Sequence, residues 1–280
     1  MTATAMHGRG GAASAVAISG GALMMGAYAT LSIAPIGPLV RDDLGISLAA
    51  FGLITTAIFG GAAVASTPSG HLTDRLGAVR LLAFAMIAVA VTEAVAALSP
   101  FVWLFFAAMF AVGLAYGCIT PPTNVIVRGA ADGSNQGVVM SLKQTGVTLG
   151  GLIAGLTLPG LAHQLGWREA LFAPVVGALV VAVLVVATRA NLNHQIGPRS
   201  PHHELAERIA IRRAWRLGVG TFGFLMAGVQ QGFMAYTTLF LTEAHGYRLG
   251  IAGVSFAVMM VGGTVGRIGW AVVSDRWFAA

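Results

Sequence analysis

Gly70 to Arg80 read GHLTDRLGAVR, a short charged stretch set between two long apolar ones. Only 9% of the 280 residues are charged, so Asp74, Arg75 and Arg80 in such close succession mark a point where the chain returns to water. They are expected to share one loop between two hydrophobic passages. A glycine at the helix end, Gly70, would let two helices approach closely, and an Asp-Arg pair at a membrane face can bond a neighbouring helix end. Such a contact latches two helix bundles in one arrangement and releases them in another. The plainer alternative is a positively charged loop that only fixes orientation.

Composition sets the class. With 56% hydrophobic residues and 38 glycines, and a mean hydropathy of +0.81, the chain far exceeds the apolar share of a soluble domain. It reads as an integral membrane protein. A helical crossing needs roughly 20 apolar residues, and the runs here are that long and separated by charges, unlike the short alternating segments of a barrel. Cys118 is the single cysteine, so disulfides play no part. The formal charge of +6 suits loops facing anionic lipid and gives no evidence for nucleic acid.

In chain order, a first helix is expected from about Ala13 to Val40, too long for the core of a signal peptide. Further helices follow at about Leu48–Ser69, Leu81–Leu98, Phe101–Val127, Gly137–Leu161 and Glu169–Thr188. Residues 1–188 thus form a six-helix bundle. Residues 189–216, rich in Arg, His and Glu, read as a cytoplasmic linker. Residues 217–280 hold a partial second bundle, with helices at about Leu217–Glu243 and Gly250–Ser274. With the N-terminus inside, Arg9, Arg75, Arg80, Arg128, Arg189, Arg199, Arg208, Arg212, Arg213, Arg216 and Arg276 are cytoplasmic, against Arg41, Arg168 and Arg248 outside.

An internal repeat is visible. A shift of 201 residues superposes Gly45 on Gly246, Leu48 on Leu249, Gly52 on Gly253, Gly61 on Gly262, Val64 on Val265, and Asp74-Arg75 on Asp275-Arg276. Chance explains matched glycines in two Gly-rich helices; it explains the matched Asp-Arg ends poorly.

The charged stretch resembles the loop between the second and third helices of the major facilitator superfamily of secondary transporters, G-x-L-x-D-R-x-G-R-[KR]-[KR]. Gly70, Leu72, Asp74, Arg75, Gly77 and Arg80 match, with Arg80 as the last basic position, while Ala78 and Val79 depart from the basic run. The resemblance implies an all-α membrane fold of two parallel six-helix repeats. This chain would supply the complete N-terminal half and the first two helices of the C-terminal half, a fragment of the twelve-helix fold. After Asp275-Arg276 comes Trp277, so the second copy of the motif lacks its glycine.

The same resemblance implies alternating access for a small solute, coupled to a proton or ion. It also implies a monomer when full length, no cofactor, and a place in the bacterial cytoplasmic (inner) membrane with the N-terminus in the cytoplasm. A drug/proton antiporter is one alternative. A receptor or assembly subunit that kept the scaffold without transporting is another, since scaffolds do not fix function.

Chemistry inside a membrane needs polar groups there, and these are costly. Lys143, about two turns into the fifth helix, is the first candidate; a lysine snorkelling to the interface is the alternative. Gln144 and Thr148 lie four apart and would continue a polar lining. Arg267 lies about 12 Å along the helix from Asp275 at helical rise, a depth suited to holding an anion or pairing with a carboxylate. Tyr116, Thr120 and Asn124 are expected on one face of the fourth helix, which in the family lines the central cavity. Tyr28 and Ser32 lie on the first helix, and Gln230, Gln231, Tyr236 and Thr237 on the seventh. Each of these polar groups has the alternative of bonding only a neighbouring helix. Glu93 is expected to reach the interface from the outer end of the third helix, peripheral in the family, which leaves no obvious buried proton carrier.

Gly146-x-x-x-Gly150 and Gly151-x-x-x-Gly155 form small-residue faces for close helix packing. The family's drug exporters carry G-x-x-x-G-P-x-x-G-G in this helix; here Gly151 stands in place of the proline and the final glycine pair is broken, which counts against that function. KQTGVTLGGLIAGLTLP is similar instead to bacterial members that move small organic or inorganic anions. No metalloprotease motif, nucleotide loop or Cys/His metal spacing is present, so nothing points to an enzyme. His202-His203 reads as a solvated pair.

Overall fold

The computed structural model describes residues 3–130, 136–195 and 213–277. Residues 131–135, between the fourth and fifth expected helices, and residues 196–212 of the expected linker, with His202-His203, lie outside them. The described residues are helical throughout, joined by short turns and holding no strand.

The first expected helix is two. Helix α1 spans Ala3–Thr30, residues 31–36 form tight turns, and α2 spans Gly37–Leu44. The cause is Pro35 and Pro38, which have no N–H to continue the ladder. Around them the backbone turns to bonds three residues back, from Ala34 N–H to the Leu31 carbonyl at 3.3 Å and from Gly37 N–H to the Ala34 carbonyl at 3.4 Å. The fourth expected helix also divides, into α5 (Val102–Gly117) and α6 (Thr120–Ala130). Pro121 and Pro122 fall in the first turn of α6, where a missing N–H costs least.

The charged stretch departs from expectation in the same local way. Helix α3 (Leu48–Leu76) opens on Ser47, whose Oγ accepts from Ala50 N–H at 3.2 Å. It continues to Leu76, and α4 spans Ala78–Ala97. The loop therefore shrinks to Gly77, whose φ of 84° favours glycine. Asp74 and Arg75 occupy the last turn of α3, and Arg80 the first turn of α4. Gly70 has no neighbour where a methyl would project. Close approach comes lower on α3, where a methyl on Gly61 would strike the α5 backbone and one on Gly113 would strike the Ile58 carbonyl.

Helix α7 spans Gln136–Leu165, α8 Trp167–Ala170, α9 Phe172–Ala187 and α10 Arg189–Gln195. Helix α11 spans Arg213–Leu239, a π-helical turn Phe240–Ala244 follows, and α12 spans Leu249–Trp277. Helix α3 packs along α5, α4 along α9, and α7 along both α1 and α12. Glycines decide this double role of α7. Side chains on Gly146 and Gly150 would collide with the α1 backbone at Gly20 and Met24; on Gly151 and Gly155 they would collide with Met260 and Gly253 of α12.

The repeat has a structural counterpart. Helices α3 and α12 are both 29 residues long, and Gly45 and Gly246 before them share left-handed φ values of 61° and 69°. Seven helical segments among the described residues are long and apolar enough to cross a membrane, rather than the eight expected. The exception is α11, whose 27 residues reach about 40 Å at 1.5 Å per residue. Gln230, Gln231 and its many glycines lower its apolar character. Leu53, Val64, Phe84, Val91, Val180 and Val183 are exposed on α3, α4 and α9, the surface that acyl chains cover in a multi-pass membrane protein.

Candidate functional site

A cavity of about 470 Å³ lies between the first repeat and the second. Thr148 of α7 forms one wall. Gln230, Phe233 and Met234 of α11 and Met259, Met260 and Gly263 of α12 form the other. The two walls are tied by a hydroxyl pair: Thr264 Oγ1 donates to Thr148 Oγ1 at 2.5 Å, and Thr148 donates on to the Thr145 carbonyl at 3.0 Å. The lining is mostly thioether and phenyl with one amide and one hydroxyl, the chemistry of a pocket for a small, partly apolar molecule. Gln144 lies half-buried one turn before Thr148. Gln231 Oε1 is buried and has no hydrogen-bond partner among the described residues.

Lys143 does not snorkel. It is 1% exposed, and its ammonium donates to Asn124 Oδ1 of α6. Arg128, one turn further along α6, is close enough to act on it electrostatically. A buried lysine held by a neutral amide beside an arginine makes a region of positive potential. Lys143 faces α6 and α1, while the cavity lies on the Thr148 side of the same helix, so the two adjoin without merging.

The remaining polar candidates are dispersed. Tyr28 is buried, and its hydroxyl lies 2.7 Å from Thr157 Oγ1. Tyr116 packs against Gly26 of α1; it ends α5, while Thr120 and Asn124 belong to α6, so the expected continuous stripe is broken by the prolines. Tyr236 lies at the opposite end of the bundle from Asp74, over Gly52, with its ring edge-on to Phe51 at 6.5 Å. Its hydroxyl donates to the Leu48 carbonyl at 3.4 Å. Arg267, Asp275 and Arg276 fall within α12, but their side chains are outside the described set.

Two features escaped the sequence reading. Arg41 of α2 pairs with Glu243 of the π-helical turn, joining the repeats, and Arg168 pairs with Asp43 at 3.1 Å beside it. No local pattern links residues so far apart in the chain. Glu93 is the second, and it overturns the interfacial reading. It is 0% exposed, because the break after α1 sets Ser32 against α4. Ser32 Oγ donates to Glu93 Oε1 at 2.8 Å, and Oε2 is buried with no hydrogen-bond partner among the described residues.

Two helical repeats around a cavity, spanning a membrane many times, define a class of polytopic transport-type scaffold. The profile of the Major Facilitator Superfamily matches residues 16–280, and the chain belongs to that superfamily. It is 24% identical over 251 residues to the gentisate transporter of Corynebacterium glutamicum, covering 85% of this chain and 56% of that protein. It is 26% identical over 149 residues to the gallate transporter of Pseudomonas putida, covering 53% of this chain and 33% of that one. The chain thus spans between a third and three-fifths of these relatives' lengths. A bacterial homologue of the human lysosomal transporter Spinster, solved in an inward-facing and occupied conformation, superposes with a TM-score of 0.75 at 18% identity, covering 94% of this chain and 61% of that one. That likeness concerns the fold.

Proposed function

We propose that this chain forms part of a secondary transporter that moves a small hydroxylated aromatic carboxylate across the bacterial cytoplasmic membrane by alternating access, coupled to a proton or ion gradient. The observation that carries the reading is the cavity between the repeats. Its volume lies in the range of small-molecule sites, roughly 300–1,000 Å³. Methionine and phenylalanine walls suit an aromatic ring, and Thr148 and Gln230 offer partners for its hydroxyl or carboxylate groups. Buried Lys143, with Arg128 beside it, supplies positive potential that favours an anion near that wall. The relatives that transport gentisate and gallate support the same substrate class.

In this reading, residues 1–188 and 217–280 belong to two bundles that rock about the cavity, joined by 189–216. The N-terminus and the Asp74-Arg75 turn face the cytoplasm, in keeping with the arginine bias of that side. The Asp74 turn steadies one closed state, and the Arg41–Glu243 face closes the opposite side in the conformation seen.

The test is accumulation of radiolabelled gentisate in vesicles carrying the complete protein. Concentrative uptake that collapses with an uncoupler, and that falls in Gln230→Ala and Thr148→Val, is the expected result. Saturable binding without flux would favour a receptor built on the same scaffold.

A further inference from the structure

Glu93 is the one acidic side chain wholly buried among the described residues; Asp42, Asp43, Asp74, Glu169 and Glu243 are exposed. We infer that Glu93 and Ser32 form a proton-carrying site, loaded in the conformation seen and emptied when the break between α1 and α2 moves. The inference rests on the transporter reading for its role in coupling, but not for its chemistry.

An ionised carboxylate accepts several hydrogen bonds, and a buried one needs them or a cation. Glu93 has one, from Ser32, and Oε2 has none. A neutral acid meets that environment at far lower cost, with its proton on Oε2 and Ser32 donating to Oε1.

Among the described residues no charged group pairs with Glu93: of the cations at its own end of the bundle, Arg41 is paired with Glu243 and Arg168 with Asp43. Helix α9 carries no titratable residue, and α5 carries only Tyr116. His71, Asp74 and Arg75 of α3, Arg128 of α6 and Arg189 of α10 lie toward the Arg80 end of α4. Glu93 is about 20 Å from that end at helical rise. From the facing part of α1 only Tyr28 interacts with Glu93, and its hydroxyl is already engaged by Thr157.

Position supplies the switch. Ser32 belongs to the short break, where Pro35 removes a helical bond and the backbone is held by three-residue turns. Movement there withdraws the Ser32 hydroxyl or admits water beside Oε2. The Oε2–H bond then breaks, the proton passes to water, and the carboxylate left behind is solvated. Re-forming the break returns a proton to Oε2 and expels the water. One proton is carried per cycle, and no other reactant is needed.

Infrared difference spectroscopy on the reconstituted complete protein, without substrate, reads the group directly. The expected result is a protonated-carboxyl band that shifts in heavy water, fades as the buffer is made alkaline, and is absent in Glu93→Gln. Ser32→Ala retains the band at a shifted frequency, which also covers the case in which Glu93→Gln does not fold. A band that persists at every pH, or a band unaffected by both substitutions, overturns the inference. Because no substrate enters, these outcomes stand apart from whether gentisate is transported. If gentisate is transported, Glu93→Gln exchanges it across the membrane at near wild-type rate but loses uptake driven by a proton gradient; unchanged gradient-driven uptake overturns the coupling role.

Discussion

Arg41 and Glu243 form an ion pair that joins α2 of the first repeat to the π-helical turn of the second, at the end of the bundle opposite Asp74. The side chains are 26% and 39% exposed, so water and salt screen the pair and its worth to stability is at most about 1 kcal/mol. Its consequence is conformational. A contact made in only one state shifts the balance between states by its full differential energy. Arg41→Glu is expected to open this face, and Arg41→Glu combined with Glu243→Arg to close it again. Labelling of Gln230→Cys by an impermeant thiol reagent, in a Cys118→Ser background, measures this. Faster labelling in the single variant and recovery in the double one is the expected pattern; equal rates in all three would show that the pair does not hold the face shut.

Glycines on α7 give a sharper stability contrast. Gly150 lies against the α1 backbone at Met24 and Tyr28, whereas Gly160 has open space where a methyl would project. Gly150→Val should lower thermal stability by about 1–3 kcal/mol through overpacking. Gly160→Ala should raise it by about 0.5–1 kcal/mol, because alanine has less backbone freedom to lose in a helix. Thermal unfolding of the detergent-purified protein compares them, and similar midpoints for the two variants would contradict the helix contact.

The bond from Lys143 to Asn124 predicts a non-additive pair. Asn124→Leu strips a buried ammonium of its acceptor, and a lost hydrogen bond to a charged group costs roughly 1.5–3 kcal/mol. Lys143→Met with Asn124→Leu removes charge and acceptor together, so the double variant should be more stable than Asn124→Leu alone. A double-mutant cycle on unfolding midpoints decides this. Additive losses would mean that the ammonium finds another partner.

The sequence reveals this fold where physics is local and misses it where contact is remote. Charge scarcity around Asp74 located a turn, and the 201-residue repeat foretold that α3 and α12 match, with Gly45 and Gly246 in the same left-handed conformation. The turn is narrower than the charges suggest, because a helix end tolerates charge and Asp74 and Arg75 fall in the last turn of α3. Pro35, Pro38, Pro121 and Pro122 were in plain view, yet long apolar runs around them suggested uninterrupted helices. Glu93 departs from expectation for a different reason: a glutamate near a helix end usually finds water, but the break after α1 brings Ser32 across the bundle to it. The cavity draws on three helices whose seven lining residues, three of them methionines, carry no motif of their own.

Asp74 provides the remaining test of the opening motif. Its carboxylate sits in the last turn of α3, where the negative end of the helix dipole disfavours an anion by about 0.3–1 kcal/mol. Asp74→Asn keeps the shape and a hydrogen-bonding side chain, so folding and membrane insertion should be unimpaired. Transport should nevertheless slow by about tenfold or more, equivalent to a loss of about 1.4 kcal/mol, if the carboxylate holds a state that the cycle must pass through. Gly77→Ala, which strains the left-handed turn without altering charge, separates the two effects by lowering stability as well as rate. Parallel measurement of vesicle uptake and unfolding midpoint distinguishes them. An Asp74→Asn protein with wild-type uptake would reduce the turn to an orientation signal, with the latch function left to the opposite face at Arg41 and Glu243.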